Sequence, residues 1–355
     1  MNSERYSRQI QLKEFGINSQ SKLSVSKVVV VGAGGLGVPI LTYLNAMGIG
    51  TLGMIDHDVV GISNLHRQVS YDEADMGRSK ITVLVKKLKA QNSETELIAY
   101  DAFLTKENAL ELLAGYDLII DASDNFPTRY LVNDACVILG KPFIYGALHS
   151  FEGQVSVFNY KNGPTYRCLF PNMPKANEVP NCDENGVLGV LPGIIGNLQA
   201  LEAVKVLTGV GEVLSGTLLL FDGLAQNFRK IKFKKVPENG TIHKLQESYA
   251  FACRQNASIN ADEFQFLVPS KDLQLLDVRT RVEFDNFPLE NALHIPINEL
   301  EKRQNELDFE KPIYVICQSG VRSQKAIQLL LQQQPKATFI NVSGGIDQMN
   351  RYAFK

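Results

Sequence analysis

The sequence predicts an α/β protein: a mixed, mostly parallel sheet with flanking helices, followed by a second, smaller α/β domain. Three observations lead there. Short apolar runs bounded by turn residues alternate with segments of helical periodicity, which is the pattern of a parallel sheet with crossover helices. The alternation stops in a stretch of mixed polarity after residue 235 and restarts at Leu273–Asp277. The length, 355 residues, suits about two domains of ordinary size. The predicted division is therefore 1–235, a linker 236–256, and 257–355.

The elements follow in order. Ser26–Val31 is a short apolar strand that runs into a glycine-rich turn, and Leu36–Met47 is a helix with an apolar face. Leu52–Ile55, Leu97–Tyr100, Leu118–Asp121 and Phe143–Tyr145 read as buried strands, with helices at Ile81–Ala90 and Thr128–Leu139 between them. Gln154–Phe158 and Thr217–Phe221 read as further strands in antiparallel pairing, and Leu198–Leu207 as a long helix after a glycine-rich bend. Ile231 and Phe233 alternate with Lys230, Lys232 and Lys234, as in a last strand with one solvated face. Pro171–Gly186 has little periodicity, and a loop of that length within a domain is commonly functional. In the second domain, Leu273–Asp277, Ile313–Ile316 and Thr338–Val342 are the strands.

Composition excludes several classes. Apolar content of 45% and charged content of 21% fit a globular core. The net charge of −2 gives no electrostatic case for nucleic acid or an anionic membrane. No apolar run of about 18 residues is evident, so no membrane span is expected. Met1–Ile10 is polar and charged, unlike a signal peptide. The five cysteines, Cys136, Cys168, Cys182, Cys253 and Cys317, are scattered and form no CxxC pair. That usage fits a reducing, cytoplasmic setting.

Gly32-Ala-Gly34-Gly35-Leu-Gly37 follows a strand and opens a helix, and Asp56 ends the next strand. This is a Rossmann-like nucleotide fingerprint. Glycines permit a tight turn and close backbone approach, the helix N-terminus favours phosphate, and the acid bonds a ribose hydroxyl. The fingerprint alone admits a dinucleotide oxidoreductase. No GxxxxGK[ST] loop is present. Polar residues gather after the other strands: Ser63, Asn64, His66, Arg67 and Gln68, then Lys80, then Asp124 and Asn125, with Arg8 near the N-terminus. Hydride transfer needs no such set of cations. Attack of a carboxylate on an α-phosphate does, because charge develops on the transferring group and on the departing pyrophosphate. Asp124 offers oxygen for Mg²⁺.

With these motifs in view, residues from Tyr6 to about Phe233 resemble the adenylyltransferases that activate the sulfur carriers of molybdopterin synthase and of thiamine synthesis, relatives of the ubiquitin-activating enzymes. Arg5-Tyr-Ser-Arg-Gln-Ile10, Gly32–Gly37, Asn64-Leu-His-Arg-Gln68, Asp121-Ala-Ser-Asp-Asn125 and Gly186-Val-Leu-Gly189 with Pro192-Gly193 carry the resemblance. It implies ATP as substrate and a homodimer in which Arg8 reaches into the partner's site. It also implies Asp56 on the ribose, Arg67 and Lys80 on the phosphates, and Asp124 at magnesium. The implied protein partner is a small ubiquitin-like sulfur carrier ending in Gly-Gly. Many relatives hold a structural zinc on two CxxC pairs. Here Thr165-Tyr-Arg-Cys168 lacks one cysteine and the second region offers only Cys253, so no zinc is expected.

Two cysteines are candidates for reaction. Cys182 matches the position where relatives place a thiol that attacks the acyl-adenylate or joins a sulfur relay; the neighbouring Asp183 and Glu184 argue for a passive thiol instead. Cys317 ends a buried strand and opens Cys317-Gln-Ser-Gly-Val-Arg322-Ser. Such a strand-to-helix loop can form an anion nest, with the helix N-terminus and Arg322 adding positive potential for a thiolate or persulfide. Residues from about Ala257 onward resemble a single rhodanese domain, through Asp277-Val-Arg279, Glu283-Phe284, His294-Ile-Pro296 and the Cys317 loop. A phosphatase loop is the rival, and four residues between Cys317 and Arg322 are one fewer than its usual spacing. The rhodanese resemblance implies a Cys317 persulfide charged by an upstream donor such as a cysteine desulfurase. His66 and His294 read as helper or packing residues. A nucleotide- and carrier-binding scaffold without turnover is the non-enzymatic alternative, and the complete set Arg8, Arg67, Lys80 and Asp124 argues against it.

Overall fold

The computed structural model describes residues 4–174, 186–249, 257–264, 267, 273–334 and 337–349. Cys182 and Cys253 lie outside the described residues. The chain divides into two compact units, Met1–Ala252 and Cys253–Lys355.

In the first unit, helices α1 (Ser7–Ile10) and α2 (Gly16–Val25) precede strand β1 (Lys27–Val31). Then come α3 (Gly37–Ala46), β2 (Thr51–Asp56), α4 (Lys80–Gln91), β3 (Glu96–Asp101), α5 (Ala109–Ala114), β4 (Leu118–Asp121) and α6 (Phe126–Leu139). β5 (Phe143–His149), β6 (Glu152–Phe158), α7 (Tyr166–Leu169), α8 (Val190–Thr208), β7 (Thr217–Asp222) and β8 (Asn227–Lys232) complete it. The eight strands form one sheet in the order β3-β2-β1-β4-β5-β6-β7-β8. β1 to β5 run parallel, and β6, β7 and β8 are added antiparallel. Strand order reverses between β1 and β4. That reversal opens a crevice beyond their carboxyl ends, where ligands of such sheets bind. The central runs of β1, β2 and β4, Val28–Val31, Leu52–Ile55 and Leu118–Ile120, are buried and carry no polar side chain, because both faces are covered by helices.

Three expectations are corrected here. α8 begins at Val190, eight residues earlier than Leu198, because Pro192 sits in the first turn, where its missing N–H costs nothing. At 19 residues with mean hydropathy 1.3, α8 is also long and apolar enough to cross a membrane, contrary to the sequence reading. Half of that window is buried within the unit, where α8 packs on α3, β5 and β6 as a core helix. Gly196 permits the approach: a Cβ there would lie 2.6 Å from the Leu36 carbonyl oxygen. β8 is the sheet edge, and all six of its residues are exposed, not only one face.

The second unit contains β9 (Ala257–Asn260), α9 (Ala261–Phe264), β10 (Gln274–Asp277), α10 (Arg281–Asn286), β11 (Ala292–His294), α11 (Leu300–Arg303), β12 (Ile313–Ile316), α12 (Val321–Gln333), β13 (Phe339–Ser343) and α13 (Gly345–Met349). Its five strands are all parallel in the order β11-β10-β12-β13-β9. The order reverses between β10 and β12, so Cys317, the residue after β12, stands at this sheet's own switch point.

Candidate active site

The first site is assembled at the carboxyl ends of β1, β2 and β4. Gly32 has φ +104°, and a Cβ there would lie 2.7 Å from the Ala122 carbonyl oxygen, so the turn after β1 requires glycine. A Cβ on Gly37 would overlap the Gly32 carbonyl oxygen, and one on Gly35 would meet Pro192 at 2.9 Å. Pro192 of the Pro-Gly motif therefore closes over the glycine loop. Gly34 packs near Gln68. Asp56, at the end of β2, braces the loop by accepting from Ala33 N–H at 2.6 Å and Asp58 N–H at 2.8 Å. Tyr71 donates its hydroxyl to the Ala33 carbonyl at 2.9 Å. Burial, and next the nearby Asp56 carboxylate, push the Tyr71 phenol well up, so it stays a donor.

The cations and acids take distinct places. Lys80 begins α4 with its side chain only 5% exposed, and its Nζ donates to Asp58 Oδ2 at 2.8 Å. Arg67 is half-buried, and its Nη1 lies 2.8 Å from the Ser63 carbonyl and 2.7 Å from His66 Nε2. Asn64 Oδ1 accepts from Gly61 N–H, which holds the 61–68 turn. After β4, Asp121 is fully buried and accepts from the Ser123 N–H and hydroxyl, and burial pushes its carboxyl up. Asp124 is exposed beside Asn125, whose Oδ1 caps α6 by accepting from Thr128 N–H. The motif thus divides into a buried structural acid and a solvent-facing one. A site holding Mg²⁺ by one carboxylate plus substrate phosphates suits this arrangement. Among the described residues no group of three or more His, Cys, Asp or Glu could hold a metal by themselves.

Arg8 is not brought to this crevice within the chain. α1 packs at the opposite end of α3: Tyr6 fits against Gly48, and its hydroxyl accepts from Asn92 Nδ2 at 3.0 Å. The length of α3, about 15 Å for ten residues, separates that end from the glycine loop.

In the second unit, Cys317 is completely buried, and its Sγ accepts from Gly320 N–H at 3.1 Å. Ser323 Oγ lies 3.5 Å from Sγ and donates at 2.6 Å to the buried Asn341 Oδ1. Gly320 has φ +91° and caps α12, whose N-terminus faces the loop. Behind it, Ile346 and Asp347 N–H donate to the carbonyls of Cys317 and Gln318 at 3.1 and 2.9 Å. The Arg322 guanidinium donates to both oxygens of Glu283, at 2.7 and 2.6 Å, and also interacts electrostatically with Cys317. Those bonds hold the Glu283 carboxyl down at about 2. Arg279 is buried on Asp277 and on the carbonyls of Glu283 and Phe287, so this motif is structural. His294 stacks on Phe284 and bonds the Arg279 carbonyl, as a packing residue.

Of the remaining thiols, Cys136 is buried, which pushes it far above the ordinary range and leaves it inert. Cys168 is half-buried in contact with Thr165, Val236 and Asn239. Partial burial pushes this thiol up, but those hydrogen bonds outweigh it and hold it below the ordinary value. Among the described residues, the segment facing Cys168 is 236–239, which brings the Val236 N–H and the Asn239 amide side chain. Sequence reasoning missed Asp58, Tyr71 and Asn341, whose partners Lys80, Ala33 and Ser323 are distant in sequence, and it named Glu283 and Ser323 only as parts of motifs.

Residues 6–241 match the ThiF family, and residues 260–351 match the rhodanese-like domain. The chain belongs to the ThiF family. It is an adenylyltransferase with a C-terminal rhodanese-like sulfurtransferase domain. It is 40% identical to adenylyltransferase and sulfurtransferase MOCS3 of Mus musculus, over 92% of this chain and 79% of that protein. The protein of the same name from Dictyostelium discoideum is 37% identical, over 92% and 88%. Over 66% of this chain, it is 53% identical to a sulfur carrier protein adenylyltransferase of Thermus thermophilus, covering 88% of that protein. A crystal structure of E. coli MccB superposes with TM-score 0.61 at 22% identity, covering 68% of this chain and 75% of that one, which shows the shared fold. ThiF-family adenylyltransferases use ATP, and the dinucleotide oxidoreductase reading falls.

Proposed function

We propose that this enzyme adenylates the C-terminal glycine of a ubiquitin-like sulfur carrier and converts it to a thiocarboxylate with sulfur carried on Cys317. The observation that carries the reading is the presence, in one chain, of a phosphate-binding crevice and a buried, amide-lined cysteine cradle. In the first reaction a carrier carboxylate oxygen attacks the α-phosphorus, the bond to the β-phosphate breaks, and pyrophosphate leaves. The glycine loop and the start of α3 receive the phosphates, Lys80 and Arg67 meet the developing charge, and Asp56 orients the ribose. Asp124 would hold Mg²⁺, which would supply neutralisation of charge on the departing pyrophosphate. Arg8, at the far end of α3, is suited to reach the nucleotide of a second copy, so the working form is a homodimer.

In the second reaction the outer sulfur of a Cys317 persulfide attacks the adenylate carbonyl, and AMP leaves with the bonding pair. A thiolate, that of Cys182 or an external thiol, then attacks the Cys317 sulfur of the resulting acyl disulfide. The carrier departs as thiocarboxylate, and the new disulfide is reduced by further thiol. An upstream persulfide donor such as a cysteine desulfurase reloads Cys317. We assign the carrier to molybdopterin synthesis, with thiamine and tRNA-thiolation carriers as the alternatives. ATP–pyrophosphate exchange with each carrier in turn decides among them. Asp124→Ala should abolish exchange, while Cys317→Ala should retain it and lose thiosulfate-dependent thiocarboxylate formation. Normal exchange in the first variant, or normal transfer in the second, refutes the corresponding reaction.

A further inference from the structure

Residues 235–249, between the sheet of the first unit and the second unit, are fastened to the first unit at two places. At the near end Val236 N–H and Asn239 Nδ2 approach Cys168 Sγ at 3.2 and 3.8 Å, and Lys235 Nζ donates to the Asn162 carbonyl at 3.2 Å. At the far end Tyr249 is buried, and its hydroxyl donates to Asp134 Oδ2 at 2.8 Å while accepting from Gln246 N–H at 3.1 Å. Asp134 is itself buried and held by Arg167 through two 2.7 Å bonds. Leu245 packs into the same hydrophobic cluster as Tyr249, and Lys106 Nζ donates to the Glu247 carbonyl at 2.6 Å. A merely passive spacer would bury no aromatic side chain and satisfy no buried carboxylate.

We infer that Tyr249 is a positioning residue for sulfur delivery: by fastening this strap it shortens the covalent tether between the adenylate site and the Cys317 domain. This inference rests on the function proposed above. From Tyr249 to Ala257 the chain spans at most about 30 Å, whatever conformation residues 250–256 take. When release of Tyr249 frees the neighbouring Leu245 and the Lys106–Glu247 bond with it, the next fastened residue is Asn239, and the tether grows from about eight to about eighteen residues. Effective concentration falls roughly as the −3/2 power of tether length, so intramolecular transfer should slow about threefold. Asp134 keeps both Arg167 bonds when Tyr249 is removed, so the first unit retains its buried ion pair.

The test uses the full chain, with Tyr249→Ala, Tyr249→Phe, and a ten-residue Gly/Ser insertion between Gln255 and Asn256 that lengthens the tether while leaving the anchor intact. Trypsin cleavage after the exposed Lys244 reports fastening without any catalysis. Tyr249→Ala should cleave at least tenfold faster than the parent, Tyr249→Phe should fall between them, and the insertion should not change the rate. Single-turnover thiocarboxylate formation at dilute enzyme should drop about threefold in both Tyr249→Ala and the insertion. Pyrophosphate exchange and thiosulfate sulfurtransferase activity should remain at the parent level. Unchanged protection of Lys244 in Tyr249→Ala overturns the anchor. Unchanged transfer in both lengthened forms overturns the positioning role. A parent enzyme that forms no adenylate refutes the function proposed above, and with it the positioning role, and is told apart by the parent's own inactivity.

Discussion

Replacing Glu283 by Gln tests the electrostatic design of the Cys317 loop directly. Glu283 is the third residue of α10. It accepts from the Thr280 N–H and hydroxyl at 2.9 and 2.8 Å, and it receives both terminal nitrogens of Arg322. Its carboxyl falls from 4.5 to about 2, chiefly through the Arg322 hydrogen bonds. A shift of that size corresponds to about 3 kcal/mol at 1.36 kcal/mol per unit. Both side chains are about one-third exposed, and solvent screening reduces the contribution to about 1–2 kcal/mol. Because the folded-state value is depressed, the stabilisation is fully present above the unfolded value near 4.5 and is lost as pH falls toward 2. At pH 7, Glu283→Gln should therefore lower the melting temperature of the second unit by about 4–10 °C, given its size. The gap between parent and variant should close when the pH is lowered to 3 and then 2. Calorimetry of the full chain at several pH values measures it. A gap that is absent at pH 7, or that widens on acidification, refutes the reasoning.

Two further substitutions separate chemistry from folding in the first unit. Lys80→Met should reduce pyrophosphate exchange about 10²–10³-fold, the loss typical of removing one charge-stabilising donor. Its melting temperature should change little, because the partner Asp58 is already 62% exposed and returns to water; a large drop in stability would show that Lys80 is structural. Gly37→Ala should instead destabilise the unit by about 3 kcal/mol or more, because the new Cβ overlaps the Gly32 carbonyl and neither backbone segment can yield. Soluble protein with a near-parental denaturation midpoint would contradict that.

The strands were legible because both faces of each central strand are covered, which demands a continuous apolar run such as Val28–Val31 or Leu118–Ile120. The glycine loop was legible because its requirement is local: a tight turn between adjacent elements. The start of α8 was not, since Pro192, Gly193 and Gly196 resemble breakers until Pro192 is seen over Gly35 and Gly196 against Leu36 and Pro39. Arg322 read as positive potential for the sulfur because its spacing from Cys317 is visible in sequence, while its pairing with Glu283, 39 residues away, is not. The strap gave no sign of its fastening for the same reason. Its polar composition conceals Tyr249, whose partner Asp134 lies 115 residues earlier. Local geometry was readable; pairings between distant polar side chains were not.

The two sites solve opposite electrostatic problems with the same architecture. Each lies beyond the carboxyl ends of parallel strands at a reversal of strand order, and each depends on glycines whose Cβ positions are occupied by backbone. On the function proposed, the nucleotide crevice must meet several charges that arrive with the substrate, and the cations Lys80 and Arg67 stand ready for them beside exposed Asp124. On the same reading the Cys317 cradle must favour a single sulfur anion, and Arg322, about one-third exposed, is paired with Glu283. Glu283 thereby offsets part of Arg322's charge. What remains for the sulfur is the Gly320 N–H, the N-terminus of α12 and the Ser323 hydroxyl, which can turn between Asn341 and Sγ. Fixed dipoles bind an anion without leaving a net charge behind when it departs, and a sulfur carrier that must release its cargo needs that property more than it needs a stronger cation.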